Sequence, residues 1–469
     1  MPSPLPPSLW SGTAQGIAVA IGLFVVAGIG FGLGYLLYGQ QEHVDQGADP
    51  TSTLAVVDPS QYPKPAEGTG YPELATRNTT RAWGVDSASV AASVALATYP
   101  TVGGFGTAAA TTIVPSESWQ LSLAATPLTA DPIGAPILLG GDDVFVSTGM
   151  ALDTLKPTGL KAAGGTQAFT IGDLAVPEGL ETTVIEGSDP AEVANQVDLQ
   201  RAKITGVEDP AHIVVVSSEN AGLSLPAAAW AARSGDPILF ADGDEVPAGT
   251  MKVIKRHPES PVFVLGPESV VSDKALRKLG NATRVGSEGV VENSIEFATF
   301  TSGDFGWNIM DPGHGFTIAN VARPLDAPAS AALASTGGSP GPLLLTDDAK
   351  AVPPALQSFL SDTQPGFEDD PTRAVFNHIW IIGDAKAISV GFQAQVDQLT
   401  KLAPVSGSTT PPDVTLPEEA SGTTGSATTT ETTIPDFGAL GGETTPTTTS
   451  TTSEPEITTP GSSGGGSGK

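Results

Sequence analysis

The sequence predicts an α/β protein of three tandem parallel-sheet repeats, preceded by one transmembrane helix. Three observations carry that expectation. The phrase GAPILLGGDD at Gly134 returns as GDPILFADGD at Gly235 and as PGPLLLTDDA at Pro340. Between these phrases, short charge-free apolar runs alternate with helix-length segments, the pattern of buried parallel strands and crossover helices. Ahead of them, Gly16 to Tyr38 is an uncharged stretch of 23 residues.

That stretch spans about 34 Å as a helix, enough to cross a bilayer. Residues 1–15 carry no Lys or Arg. This is unlike the basic start of a cleaved signal, so a retained anchor is expected. A short leader is most simply left in the cytoplasm, which puts the bulk of the chain outside a cell membrane crossed once. Gly28, Gly30, Gly32 and Gly34 form two overlapping G-x-x-x-G pairs. They suit either a dimerisation face or, the preferred reading, ordinary glycine in a membrane helix. Residues 39–77 are polar, acidic and Pro-rich and read as a tether. The segment 403–469 is a Thr/Ser/Pro/Gly tail that cannot bury enough apolar surface to order itself.

The chain has a net charge of -30, with Lys+Arg at only 21. Nucleic acid is therefore not an expected partner, because phosphate backbones need basic patches. Cysteine is absent, which excludes disulfides, thiolate metal sites and a cysteine nucleophile. No P-loop, H-E-x-x-H or G-x-S-x-G motif occurs, and the five histidines are scattered. The expectation is a protein that is not an enzyme and needs no cofactor or metal.

Three markers recur in one order, at intervals of roughly a hundred residues. An opening run closes on Gly84, Gly187 or Gly286. The proline-led run starts at Pro136, Pro237 or Pro342. A last run closes on Gly172, Gly266 or Gly383. The blocks are 78–180, 181–280 and 281–402, the third with insertions. Block two is the clearest. TTVIEG, HIVVVSS, PILFA and PVFVLG read as strands. DPAEVANQVDLQRA reads as a helix with Asp189 as N-cap and Pro190 at its first position. LSLPAAAWAARSG, PAGTMKVIKRH and SDKALRKLG complete the alternation. The proline-led run is expected to be a central strand of each sheet.

These residues resemble the cell-wall-binding repeat type 2, which occurs in threes on Gram-positive surface proteins. The likeness rests on Asp236 to Leu279, on TRVGSEGVVENSIEFATF and WIIGDAKAIS, and covers about Asn78 to Leu402. It implies three flavodoxin-like units around a pseudo-threefold axis, holding anionic wall polymer non-covalently. Arg81 and Arg284 match the family's first arginine, which makes each either a ligand contact or a structural ion pair. The family's second arginine is missing from all three blocks. Its "DALsa" turn becomes SWQLSLAA and AGLSLPAA, without the aspartate, and has no recognisable counterpart within GFTIANVARPLDAPAS.

Two groups of residues are candidates for chemistry. Asp142 and Asp143, Asp242 and Asp244, and Asp347 and Asp348 follow the proline-led strands. α/β proteins bind ligands there, although helix capping explains such residues equally well and is preferred. The block-three insertion SGDFGWNIMDPGHGF brings Asp304, Trp307, Asp311 and His314 together in sequence. An aromatic ring beside carboxylates and an imidazole suits stacking on a sugar and hydrogen bonding to its hydroxyls. The expected function is a membrane-anchored extracellular scaffold bound to envelope polymer or glycan. A structural subunit of a surface complex, bound to another envelope protein, and an enzyme using the insertion loop are the alternatives.

Overall fold

The computed structural model describes residues 74–99, 107–280, 282–335, 340–368 and 370–405. The expected membrane helix at 16–38, most of the tether and nearly all of the tail lie outside the described residues. No helix among the described residues is long and apolar enough to cross a membrane.

Among the described residues, fifteen strands follow in order. They are β1 (Leu74–Ala75), β2 (Thr79–Ala82), β3 (Thr111–Pro115), β4 (Ile137–Gly140), β5 (Ala168–Ile171), β6 (Thr182–Ile185), β7 (Ile213–Val216) and β8 (Ile238–Phe240). β9 (Val262–Leu265), β10 (Ala282–Val285), β11 (Gly315–Asn320), β12 (Leu343–Thr346), β13 (Gly366–Phe367), β14 (His378–Ile382) and β15 (Ala403–Pro404) complete the set. The architecture is α/β with several parallel-sheet units. Three sheets share one plan: β4-β3-β5-β6, β8-β7-β9-β10 and β12-β11-β14-β2, the last extended by antiparallel β1.

The proline-led strands β4, β8 and β12 occupy equivalent positions, but each is an edge strand rather than a central one. Continuous apolarity did not distinguish the two cases, because helices bury these edges. All four residues of β4 are buried, and the strand packs on the helix Ser87–Thr98. The sheets also do not coincide with the sequence blocks. β6 opens block two yet completes the first sheet, and β10 opens block three yet completes the second. β2, the opening strand of block one, pairs with β14 and completes the third.

Each such junction is built the same way. Gly172, Gly266 and Gly383 take φ of 80°, 123° and 94°, a region open to glycine at little cost. Their amides donate to Ile185 O (3.0 Å), Val285 O (2.7 Å) and Ala82 O (3.0 Å) of the joining strands. The helices follow their expected caps. Asp189 accepts from Glu192 N ahead of Pro190–Thr205, and Ser272 caps Asp273–Lys278. The helix Ala227–Ser234 ends at Gly235 with φ 76°.

Small helices meet at the centre of the core. Trp119–Ala125, Ala227–Ser234, Asp326–Ala329 and Ala332–Ser335 pack on one another through buried alanines. Alanine lets helix backbones approach closely, which explains the small-residue composition of these segments.

Candidate functional site

The sequence candidates separate once folded. Trp307 is 6% exposed and packs edge-on to Trp230, with ring centroids 5.7 Å apart. The Arg233 guanidinium lies 4.9 Å from its ring centroid. Phe305, two residues earlier, stacks on Phe263 of β9 at 3.7 Å. The insertion therefore plugs an aromatic cluster beneath the second sheet, and the Trp307 ring has no face left for a sugar. Asp304 is exposed, and the exposed Asp311 carboxylate lies 3.1 Å from His314 Nε2. The Gly313 and His314 amides donate to Asn377 Oδ1. The loop is anchored at both ends, and its polar residues are not gathered around Trp307.

Arg81 is fully buried. Its Nε donates to Gln393 Oε1 at 2.9 Å, and its Nη1 to Gly383 O and Asp384 O at 2.8 and 3.1 Å. Burial pushes the guanidinium down to about 10, with Asp384 opposing the shift. Arg81 is a staple between β2 and the segment after β14, out of reach of any ligand. Arg284 repeats the theme nearer the surface, donating to Gly266 O (3.1 Å) and Asp273 Oδ1 (3.0 Å).

None of the aspartates after the proline-led strands caps the helix that follows, whose N-cap positions are Phe145, Pro247 and Pro353; the paired ones hold turns and strand ends instead. Asp242 accepts from Ser217 Oγ at 2.6 Å, from Ser218 N at 2.8 Å and from the Ser218 hydroxyl, which ties off the second sheet. Asp348 accepts from the Lys350 and Ala351 amides, which hold its carboxyl below the usual range. Asp142 and Asp143 are exposed. No group of three or more His, Asp or Glu residues suited to a metal ion occurs among the described residues.

A cleft of about 530 Å³ opens at the carboxyl ends of the third sheet's strands. Asp86 comes from the turn after β2, Asn320 and Arg323 from the end of β11, Asp347 from the end of β12, and Asp384 and Lys386 from the loop after β14. At its floor Arg323 Nε sits 2.9 Å from Asp326 Oδ2, and Nη1 sits 3.3 Å from Asp384 Oδ1. Asp326 is 1% exposed, and burial pushes its carboxyl up to about 6, against the opposing pull of Arg323 and a hydrogen bond with Ser87. Chemically the cleft offers two cations, Arg323 and Lys386, within an acidic rim. Neither Arg323 nor Asp326 was singled out from the sequence. The missed signal was LDAPAS, a small-residue turn that contains an aspartate where SWQLSLAA and AGLSLPAA have none.

Fold and cleft define a class: a repeat-built α/β protein of parallel sheets with a charged opening at the strand ends of one sheet. Among solved structures, the chain is similar to Cwp6 from Clostridium difficile, with a TM-score of 0.55 and 19% identity. It is also similar to Cwp8 from the same organism, with a TM-score of 0.51 and 16% identity. The matches cover 77% and 69% of this chain and 52% of each neighbour, so the chain spans about half the length of the structures it matches. At these identities the likeness is one of fold. No protein-family model matches the chain, and none of the curated proteins does.

Proposed function

We propose that this protein is a membrane-anchored scaffold that binds envelope polymer or glycan non-covalently through the cleft of the third sheet. The observation that carries this reading is the placement of Arg323 and Lys386 at the carboxyl ends of parallel strands, where α/β folds usually hold ligands. The likeness of fold to Cwp6 and Cwp8 is consistent with it. The overall charge of -30 does not oppose it. Screening confines surface fields to about 8 Å at physiological salt, so a bound segment meets mainly the cleft's own lining, Arg323 and Lys386 together with Asp86, Asp347 and Asp384, rather than the net charge of the chain. In this reading the three sheets are flavodoxin-like units around a pseudo-threefold axis, and residues 16–38 hold the chain in the membrane. The protein binds rather than catalyses.

The test is retention of the detergent-solubilised full chain on Gram-positive cell walls. Retention on intact walls, lost after acid extraction of their anionic polymers, is expected. Equal retention on intact and stripped walls would remove the polymer from the proposal, and no retention on either would end it.

A further inference from the structure

The cleft's best-placed cation is already occupied by the protein itself. Arg323 Nε and Nη2 face the two oxygens of Asp326 at 2.9 and 3.2 Å. Nη1 reaches Asp384 Oδ1 and Gly84 O, each at 3.3 Å. Yet the Arg323 side chain is 20% exposed and lines the cleft, whereas its carboxylate partner Asp326 is sealed beneath it. An incoming anion must compete with Asp326 for the same guanidinium.

We propose that Arg323 is an anion anchor held shut by Asp326, so that binding of an anionic ligand in this cleft is coupled to proton uptake by Asp326. The proposal rests on the reading that the cleft is the binding site. Protonation turns the Asp326 carboxylate into a neutral acid while the guanidinium keeps its charge, so Arg323 loses its strongest competitor without moving. The groups that face Asp326 are Arg323 from its own turn, Ser87 from the first turn of the helix Ser87–Thr98, and Asp384 from the loop after β14. Asp86, Asp347 and Lys386 line the wall above. Burial already pushes Asp326 up to about 6, which puts the switch in a reachable range. Linkage makes the effect reciprocal: whatever protonates Asp326 tightens the anion, and the anion favours the proton. The other two sheets lack the device. β3 is followed by Ser116, Glu117 and Ser118, and β7 by Ser217, Ser218, Glu219 and Asn220, with no cation at either place. One such site results among the described residues.

The experiment is calorimetric titration of the full-length protein in detergent with a short dextran sulfate. The charge of this probe does not change between about pH 5 and pH 7.5. The expected result is one site, roughly tenfold tighter at the lower pH, with fractional proton uptake that peaks at about half a proton near pH 6.5, as read from two buffers of different ionisation heat. Asp326→Asn should bind tightly at both pH values. If Asp326→Asn does not fold, Ser87→Ala serves: it removes a hydrogen bond that favours ionised Asp326 and should move the transition to higher pH. Equal wild-type affinity at both pH values, no binding at either, or a pH dependence that survives Asp326→Asn would each overturn the proposal. Failure on cell walls alongside a working sulfate switch would sink the wall reading alone. Intact wall retention with pH-indifferent sulfate binding would sink the switch alone.

Discussion

The second and third sheets are closed by equivalent strands, β10 and β2, and each brings an arginine to the same register. Arg284 lies opposite Val264, Arg81 opposite Ile381, and each donates to the glycine carbonyl that follows the neighbouring strand. The likeness ends there. The Arg284 side chain remains 21% exposed and pairs with a half-exposed Asp273, whereas Arg81 is sealed and donates to four acceptors. The difference follows from what covers each junction. Gln393, on the helix Val390–Leu399, sits over Arg81 and also donates to Thr79 of β2. The first sheet does without the arginine: Val184 takes the position and is 47% exposed. One position in a repeat can therefore be a sealed arginine, a partly exposed arginine or an exposed valine according to its cover.

The largest effect that would sharpen this contrast is expected from Arg81→Ala. It removes the bonds to Gln393 Oε1 and to two buried carbonyls and empties a buried site, and it should cost about 3–5 kcal/mol in chemical denaturation. A cost below about 1 kcal/mol would mean that the third sheet does not depend on the staple. Trp307→Ala should cost a comparable amount, about 3–5 kcal/mol, because it empties a buried aromatic site. Wall retention of whatever folded protein remains should be unchanged. Loss of retention with stability intact would restore Trp307 as a ligand contact.

An intermediate effect concerns pH. Asp326 is raised to about 6 when folded, from an ordinary 3.8. The folded state thus holds a proton more tightly than the unfolded chain. The stabilisation is fully present below the unfolded value and is lost as pH rises through about 6, by about 3 kcal/mol at most. Denaturation midpoints for wild type and Asp326→Asn across that window check it, and the variant should lose the slope. The smallest effect is expected from Arg284→Ala, at most about 1 kcal/mol, since a partly exposed ion pair contributes little. A loss as large as that from Arg81→Ala would erase the distinction between the two junctions.

Much of the fold was legible in the residues. Pro136, Pro237 and Pro342 do precede equivalent strands, and Asp189, Pro190 and Gly235 cap and stop their helices as their local chemistry requires. Strand pairing was not legible. An apolar run such as ILLG looks the same at a sheet's centre or at its edge when helices cover it. The candidate site was less legible still. Trp307 stood out because aromatic and charged residues are adjacent in SGDFGWNIMDPGHGF, but adjacency does not say which side chains turn inward.

The sequence by itself determined the local elements, their order and their threefold recurrence, since periodicity, caps and positive-φ glycines act within a few residues of chain. Only folding in three dimensions decided that β2 completes the sheet built by β11, β12 and β14, more than two hundred residues later. It also decided that Arg81 is buried and that Arg323, Asp326, Asp384 and Lys386 share one cleft. Those outcomes depend on contacts between residues as many as about three hundred positions apart, such as Arg81 with Gly383. Burial and charge pairing, which set what each of these groups can do, arise only when such contacts form.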